Sequence, residues 1–213
     1  MGLSKSSTGT KLLDNDFTLL KNNDGYTIAL AGNPNVGKST IFNSLTGMHQ
    51  HTGNWPGKTI SNATGKGNYN NNNFLFVDIP GTYSIMSSSE EEEIARDYIC
   101  FGNPDVTVVV VDATCLERNL NLVFQIMEIT NNVILCVNLL DEAKTKKIKI
   151  DLKALSLNLG IPVVGTIARK QKTLNNLMDT VTKVCKKDLI PSPKKIQYSS
   201  VIEQGIEKMQ EYL

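Results

Sequence analysis

The sequence predicts an α/β fold: a mostly parallel sheet of six to seven strands flanked by helices. Short apolar, β-branched runs at 26–31, 74–78, 106–112, 133–138 and 161–166 alternate with segments whose apolar residues recur at helical spacing. A glycine-rich loop, Gly32-Asn33-Pro34-Asn35-Val36-Gly37-Lys38-Ser39, joins the first such run to the first helix. That is where the strand-to-helix loops of a parallel sheet collect ligands. A run of asparagines over 68–73 joins two further strand-like runs. Asparagine tolerates the left-handed backbone of a tight turn, so this reads as a hairpin that adds an antiparallel strand at one edge.

The bulk numbers agree with one globular domain. The chain has 213 residues, 40% of them hydrophobic and 20% charged, enough for a sizeable core. A formal net charge of +1 leaves no electrostatic footprint for nucleic acid. The longest apolar run, Val106 to Val111, is six residues, a central strand and far short of a membrane span. No signal-peptide core opens the chain, so a soluble, cytosolic domain is expected. Four scattered cysteines (Cys100, Cys115, Cys136, Cys185) lie in mostly apolar surroundings and read as buried free thiols. His49 and His51 lack the further ligands that a metal site needs.

In chain order, residues 1–25 form a polar N-terminal extension, and the main α/β domain is expected over 26–187. Residues 188–213 begin an appended helical segment, its helix predicted from Val201. After the first strand, Ile41, Phe42 and Leu45 share one helical face, and Gly47 suits the C-cap. The polar stretch from Met48 to Thr59 has no period and reads as a loop. Two strands follow, Ile60–Gly67 and Phe74–Asp78. Serines 87–89 ahead of four glutamates then predict a capped helix that carries Ile94, Ala95, Tyr98 and Ile99 inward. Val106–Asp112 and Val133–Asn138 are strands, and 116–130 between them is a helix with Leu120, Val123, Phe124 and Met127 on its core face. The basic run 144–149 reads as a solvated face. Helices over 151–159 and 173–186 enclose the last strand, 161–166.

The glycine-rich loop fits G-x-x-x-x-G-K-[ST] in its required strand–loop–helix setting, so a P-loop NTPase fold is predicted. Backbone N–H groups of the loop, from Asn33 and Asn35 through Val36 and Gly37 to Thr40, can cradle phosphates. Lys38 can neutralise the β- and γ-phosphates, and Ser39 can bind Mg2+. Asp78-Ile79-Pro80-Gly81 ends an apolar strand. Asp78 there can hold Mg2+ through a water, and the Gly81 N–H can donate to the γ-phosphate. Asn138-Leu139-Leu140-Asp141 ends another. The Asp141 carboxylate matches the N1–H and N2–H2 donors of guanine, which adenine lacks, while Asn138 braces the loop. A backbone N–H at Ile167–Ala168 can reach guanine O6. Thr52 and Thr59 are candidates to complete the Mg2+ shell. The set predicts a Ras-like G domain that binds GTP/GDP with Mg2+. Thr82 stands where many small GTPases place a water-orienting glutamine, so hydrolysis must rest on positioning and electrostatics.

Four stretches taken together resemble the cytosolic G domain of FeoB, the bacterial ferrous-iron transporter. They are Gly32–Ser39, Gly53-Asn54-Trp55-Pro56-Gly57-Lys58-Thr59, Asp78–Ser84 and Val111–Leu120. The match runs on through Asn138–Asp141 to about residue 180. The resemblance implies a slow GTPase with two nucleotide-sensitive loops, a first switch over 48–60 and a second over 80–90. In it Thr59 of the first switch, not Thr52, binds Mg2+, and Gly57 also contacts nucleotide. It implies activation by K+ held by Asn35 and by carbonyls of Gly53 and Trp55, with Lys38, Thr59, Gly81 and Asn35 as the catalytic set. It also implies a membrane permease domain in the same longer chain, small accessory iron-transport proteins as partners, and a place on the cytoplasmic side of the bacterial inner membrane. This chain would then be a fragment or a short form. It departs from the family pattern at Ile167, where serine is usual, and at Thr173, where glycine is usual. The competing readings are a soluble ribosome- or RNA-associated GTPase and a GTP-dependent interaction switch with negligible hydrolysis.

Overall fold

A computed structural model describes residues 24–47, 50–55, 58–86, 89–195 and 199–210. Seven strands form one sheet: β1 Tyr26–Gly32, β2 Gln50–Asn54, β3 Ser61–Tyr69, β4 Asn72–Asp78, β5 Val106–Asp112, β6 Val133–Asn138 and β7 Val163–Gly165. The helices are α1 Lys38–Thr46, α2 Glu90–Phe101, α3 Leu116–Ile129, α4 Leu140–Thr145, α5 Leu152–Leu159, α6 Gln171–Cys185 and α7 Ser200–Gln210. The strand order is β2-β3-β4-β1-β5-β6-β7. Pairing from β4 to β7 is parallel, and β2–β3 and β3–β4 are antiparallel.

The parallel strands are buried on both faces because their side chains alternate between two cores. On β1, Ala29 and Ala31 face the core beneath α2 and α3, with Ile94, Tyr98, Val123 and Ile126. Ile28 and Leu30 face the core beneath α1 and α6, with Ile41, Phe42, Leu177 and Val181. Residues 133–138 of β6 are buried throughout, which is why that run carries no polar alternation. The register sets Leu30 beside Asp78, Gly32 beside Val110, and Asp112 beside Asn138. The ends of β1, β4 and β6 therefore reach the same rim of the sheet.

Two expectations need correction. The stretch 48–59 is not all loop, because residues 50–54 form edge strand β2, paired Gln50↔Gly65 through Asn54↔Ser61. His51 to Asn54 are all exposed, so the strand is held by main-chain hydrogen bonds and has no apolar alternation to betray it. The thiols are not all buried. Cys136 is buried and Cys185 half-buried, whereas Cys100 and Cys115 are exposed. Cys100 lies one residue past the buried Ile99, beyond the inward stripe of α2, and Cys115 ends a 3-10 turn. The basic run is a solvated face as expected: it begins in the last turn of short helix α4, and Lys144, Lys146, Lys147 and Lys149 are exposed.

The asparagine hairpin is confirmed and narrowed. Asn70 and Asn71, at φ 48° and 59°, form its turn, as a two-residue I′ turn requires. Ser89 caps α2 by accepting from the Glu92 N–H at 3.3 Å. Residues 1–23 of the N-terminal extension, His49 and Gly57 lie outside the described residues.

Candidate functional site

The phosphate loop leaves β1 at Gly32 and enters α1 at Lys38. Its course depends on two left-handed residues, Asn35 at φ 64° and Gly37 at φ 84°. At Gly37 a Cβ would also sit 2.4 Å from Asn138 Nδ2, so only glycine lets the loop pass this close to β6. Gly37 N-caps α1 without any side-chain cap, which leaves the first-turn N–H groups of the helix to a ligand.

Asn33, Asn35, Gly37, Lys38, Ser39 and Gly81 help to line a cavity of about 470 Å³ at the helix N-terminus. Asn33 is only 2% exposed, and its amide nitrogen and oxygen have no hydrogen-bond partner among the described residues. Burying an unpaired amide is costly, so this one fits a rim that takes polar ligand atoms.

The other predicted pieces converge on the same rim. Lys38 Nζ forms an ion pair with Asp78 Oδ1, joining the phosphate loop to the end of β4. The loop after β4 doubles back on the phosphate loop: the Thr82 N–H donates to Gly32 O at 3.3 Å, and a Cβ on Gly81 would come 3.3 Å from Pro34. Asn138 is fully buried. Its Nδ2 donates to Val36 O at 3.0 Å, and its Oδ1 accepts from Thr166 Oγ1 at 3.1 Å and from the Ala168 N–H at 3.2 Å. One side chain thus ties the phosphate loop to the loop after β7. Leu139, left-handed at φ 61°, turns the chain so that Asp141 falls in the exposed first turn of α4.

The loop carrying Ile167 and Ala168 is closed by a residue that departs from the family pattern. Thr173 Oγ1 accepts from the Ile167 N–H at 3.1 Å and lies 2.8 Å from Lys170 O, to which it can donate. Burial of Thr166 beneath Asn138, and its contact with Cys136 Sγ at 3.2 Å, were not legible from local spacing.

Gly53, Trp55 and Thr59 do not line the phosphate-loop cavity. Gly53 lies in β2, and Thr59 is exposed. Trp55 is 1% exposed, its ring 5.3 Å from that of Tyr98 in an edge-on packing. Its carbonyl accepts from the Lys58 N–H at 2.9 Å. Lys58 Nζ pairs with Glu93 Oε2 at 2.7 Å, which raises the lysine pKa and lowers that of the glutamate. These residues dock the segment expected as the first switch on α2.

The donor set also allows an assessment of metals. Ser39 and Asp78 offer the hard oxygen donors that Mg2+ takes. Among the described residues, no group of three or more His, Cys, Asp or Glu side chains could hold a metal by itself.

Comparison with known proteins decides the family. The sequence model of the family described as ferrous iron transport protein B matches residues 26–181. The chain belongs to that family. It is 42% identical over 155 residues to the Fe(2+) transporter FeoB of Salmonella typhimurium, covering 71% of this chain and 20% of that one. It is 57% identical over 103 residues to the Fe(2+) transporter FeoB of Methanocaldococcus jannaschii, covering 48% of this chain and 15% of that one. The chain therefore spans about a fifth or less of these FeoB relatives.

Among solved structures, the G domain of T. maritima FeoB superposes with a TM-score of 0.70 at 41% identity, covering 75% of this chain and 98% of that one. The cytosolic domain of the same protein in its GDP form gives 0.83 at 37% identity, covering 89% and 73%. The fold is the Ras-like G domain, here the N-terminal G domain of FeoB. Among the described residues no helix is long and apolar enough to cross a membrane.

Proposed function

We propose that this chain binds GTP and GDP and hydrolyses GTP slowly, as the nucleotide-dependent regulatory domain of a ferrous-iron membrane transporter. The observation that carries the reading is the bridge made by Asn138. It ties the main chain at Ala168 to the phosphate loop at Val36, and Asp141, three residues after Asn138, would supply the guanine-selective carboxylate beside them. The GDP-bound structure of its T. maritima relative supports the same ligand class.

In this reading the N–H groups from Asn33 to Thr40 hold the phosphates and Lys38 neutralises them. The main chain at Gly57 and Gly81 contacts the terminal phosphate. Ser39 and Asp78, the latter through a water, would hold Mg2+, and Asn35 would hold K+. Thr59 as a further Mg2+ ligand, and the carbonyls of Gly53 and Trp55 for K+, would join them only once the segment 50–60 moves to the phosphate-loop cavity, which it does not line in this arrangement. These cations supply positive charge where negative charge develops on the transferring phosphoryl group. Thr82 is buried and its own N–H is spent on Gly32 O, so water would have to be placed by other main-chain groups and a cation and not by this residue. The permease of a longer chain, accessory iron-transport proteins and the cytoplasmic membrane surface are partners and place under the same proposal.

Hydrolysis of GTP, measured in KCl and in NaCl beside binding of fluorescent GDP and ADP analogues, tests it. Selective GDP binding and turnover about tenfold faster in KCl are expected. Equal rates in the two salts remove the role given to Asn35. Selective binding without turnover in either salt would mark an interaction switch instead.

A further inference from the structure

The stretch Val111–Leu120 and the helix it opens belong to the family likeness, yet no step of nucleotide binding uses their outward side chains. Arg118 and Gln125 lie seven residues apart on α3 and so share one face. Gln125 Oε1 accepts from the Ile85 N–H at 2.9 Å and from Ser84 Oγ at 3.2 Å. Ser84 Oγ in turn accepts from the Met86 N–H at 3.0 Å. The Arg118 guanidinium carbon stands 4.5 Å from the centre of the Tyr83 ring. Two side chains of α3 therefore hold three consecutive residues that follow the Gly81–Thr82 contact with the phosphate loop.

Among the described residues, few other polar contacts hold this segment. Ile85 packs into the core, but Tyr83 and Met86 are 48% and 78% exposed. A cavity of about 810 Å³, walled by Ile85 and Met86 on one side and by Phe124 and Ile129 on another, replaces close packing beside it. Where packing is sparse, a few directed contacts decide the position of a loop.

We infer that Gln125, assisted by Arg118, is a positioning residue for the second switch. It fixes Ser84 and Ile85, and through them where Gly81 and Thr82 stand against Gly32 and Pro34. The kinetic part of this inference rests on the GTPase reading; the structural part does not. Gln125 acts only as an acceptor through Oε1, so glutamate can replace it and leucine of similar size cannot. Tyr83 acts through its ring, so phenylalanine can replace it and leucine cannot.

The test uses Gln125→Leu, Gln125→Glu, Tyr83→Phe and Tyr83→Leu, with two readouts: hydrogen exchange of the Ile85 amide in the nucleotide-free protein, and kcat and KM for GTP. Gln125→Leu is expected to speed Ile85 exchange about tenfold and to lower kcat about tenfold, with KM unchanged. Gln125→Glu is expected to match wild type in both readouts. Tyr83→Leu is expected to repeat the loss more weakly, and Tyr83→Phe not at all.

Wild-type exchange in Gln125→Leu overturns the inference, as does a Gln125→Glu variant no better than Gln125→Leu. Should Gln125→Leu not fold, the Tyr83 pair decides, and equal exchange in both variants counts against the hold. A wild type that exchanges slowly at Ile85 but does not hydrolyse GTP refutes the GTPase reading alone.

Discussion

Under the proposed function, base selectivity turns on Asp141. Its carboxylate is exposed in the first turn of α4, and the left-handed Leu139 and the buried Asn138 fix the turn beneath it. Guanine offers two donors to a carboxylate, so Asp141→Asn creates a donor where an acceptor was needed. A carboxamide can face the O2 of xanthine instead. Preference is expected to move from GTP to xanthosine triphosphate, by about a hundredfold or more in relative affinity. Competition binding with the two nucleotides checks this, and unchanged GTP selectivity would remove Asp141 from the base site. The mutation should barely alter the melting temperature, because the side chain is exposed.

At the scale of elements, the first switch is held by two contacts of different kinds on α2. Trp55 is buried against Tyr98, while Lys58 and Glu93 form a partly exposed pair. Burial of aromatic surface is worth far more than an exposed ion pair, which salt screens. Tyr98→Ala should therefore destabilise the protein by about 3–5 kcal/mol and shift the emission of Trp55 to the red. Lys58→Met should leave both nearly unchanged. Trp55 is the chain's one tryptophan, so thermal melts followed by its fluorescence report on this docking directly. A red shift in Lys58→Met as large as in Tyr98→Ala would show that the ion pair, not the ring, holds the switch.

For the whole molecule, the sheet's double-sided burial has a consequence at alkaline pH. Burial in β6 pushes the Cys136 thiol from 9.0 to about 12, although its contact with Thr166 lowers it somewhat. Burial likewise raises the Tyr98 phenol. Below pH 9 the thiol holds its proton in both the folded and the unfolded chain, and its contribution to stability is complete. Between 9 and 12 only the unfolded chain ionises there, so stability falls by about 1.4 kcal/mol per pH unit from this group. Melting temperatures measured from pH 8 to 11 should decline accordingly, and Cys136→Ser should flatten part of the decline. A profile equally steep in that variant would place the alkaline limb elsewhere.

The nucleotide rim was largely legible in the amino-acid sequence. Gly32 to Ser39, Asp78 to Gly81 and Asn138 to Asp141 each follow a continuous apolar run, and local spacing is enough to place them at the carboxyl ends of strands. The asparagine hairpin and the Ser89 cap were legible for the same reason, since turn and cap chemistry acts over three or four residues. Tertiary structure alone decided the rest. Strand β2 is exposed on both faces, and its partner β3, not its own pattern, makes it a strand. The Asn138–Thr166–Ala168 bridge spans 28 to 30 residues, and Gln125 reaches back 40 residues to Ile85. Contacts at such separation leave no periodicity in the chain. They exist only once the parallel sheet has brought its strand ends to one rim and laid α3 beside the loop that follows β4.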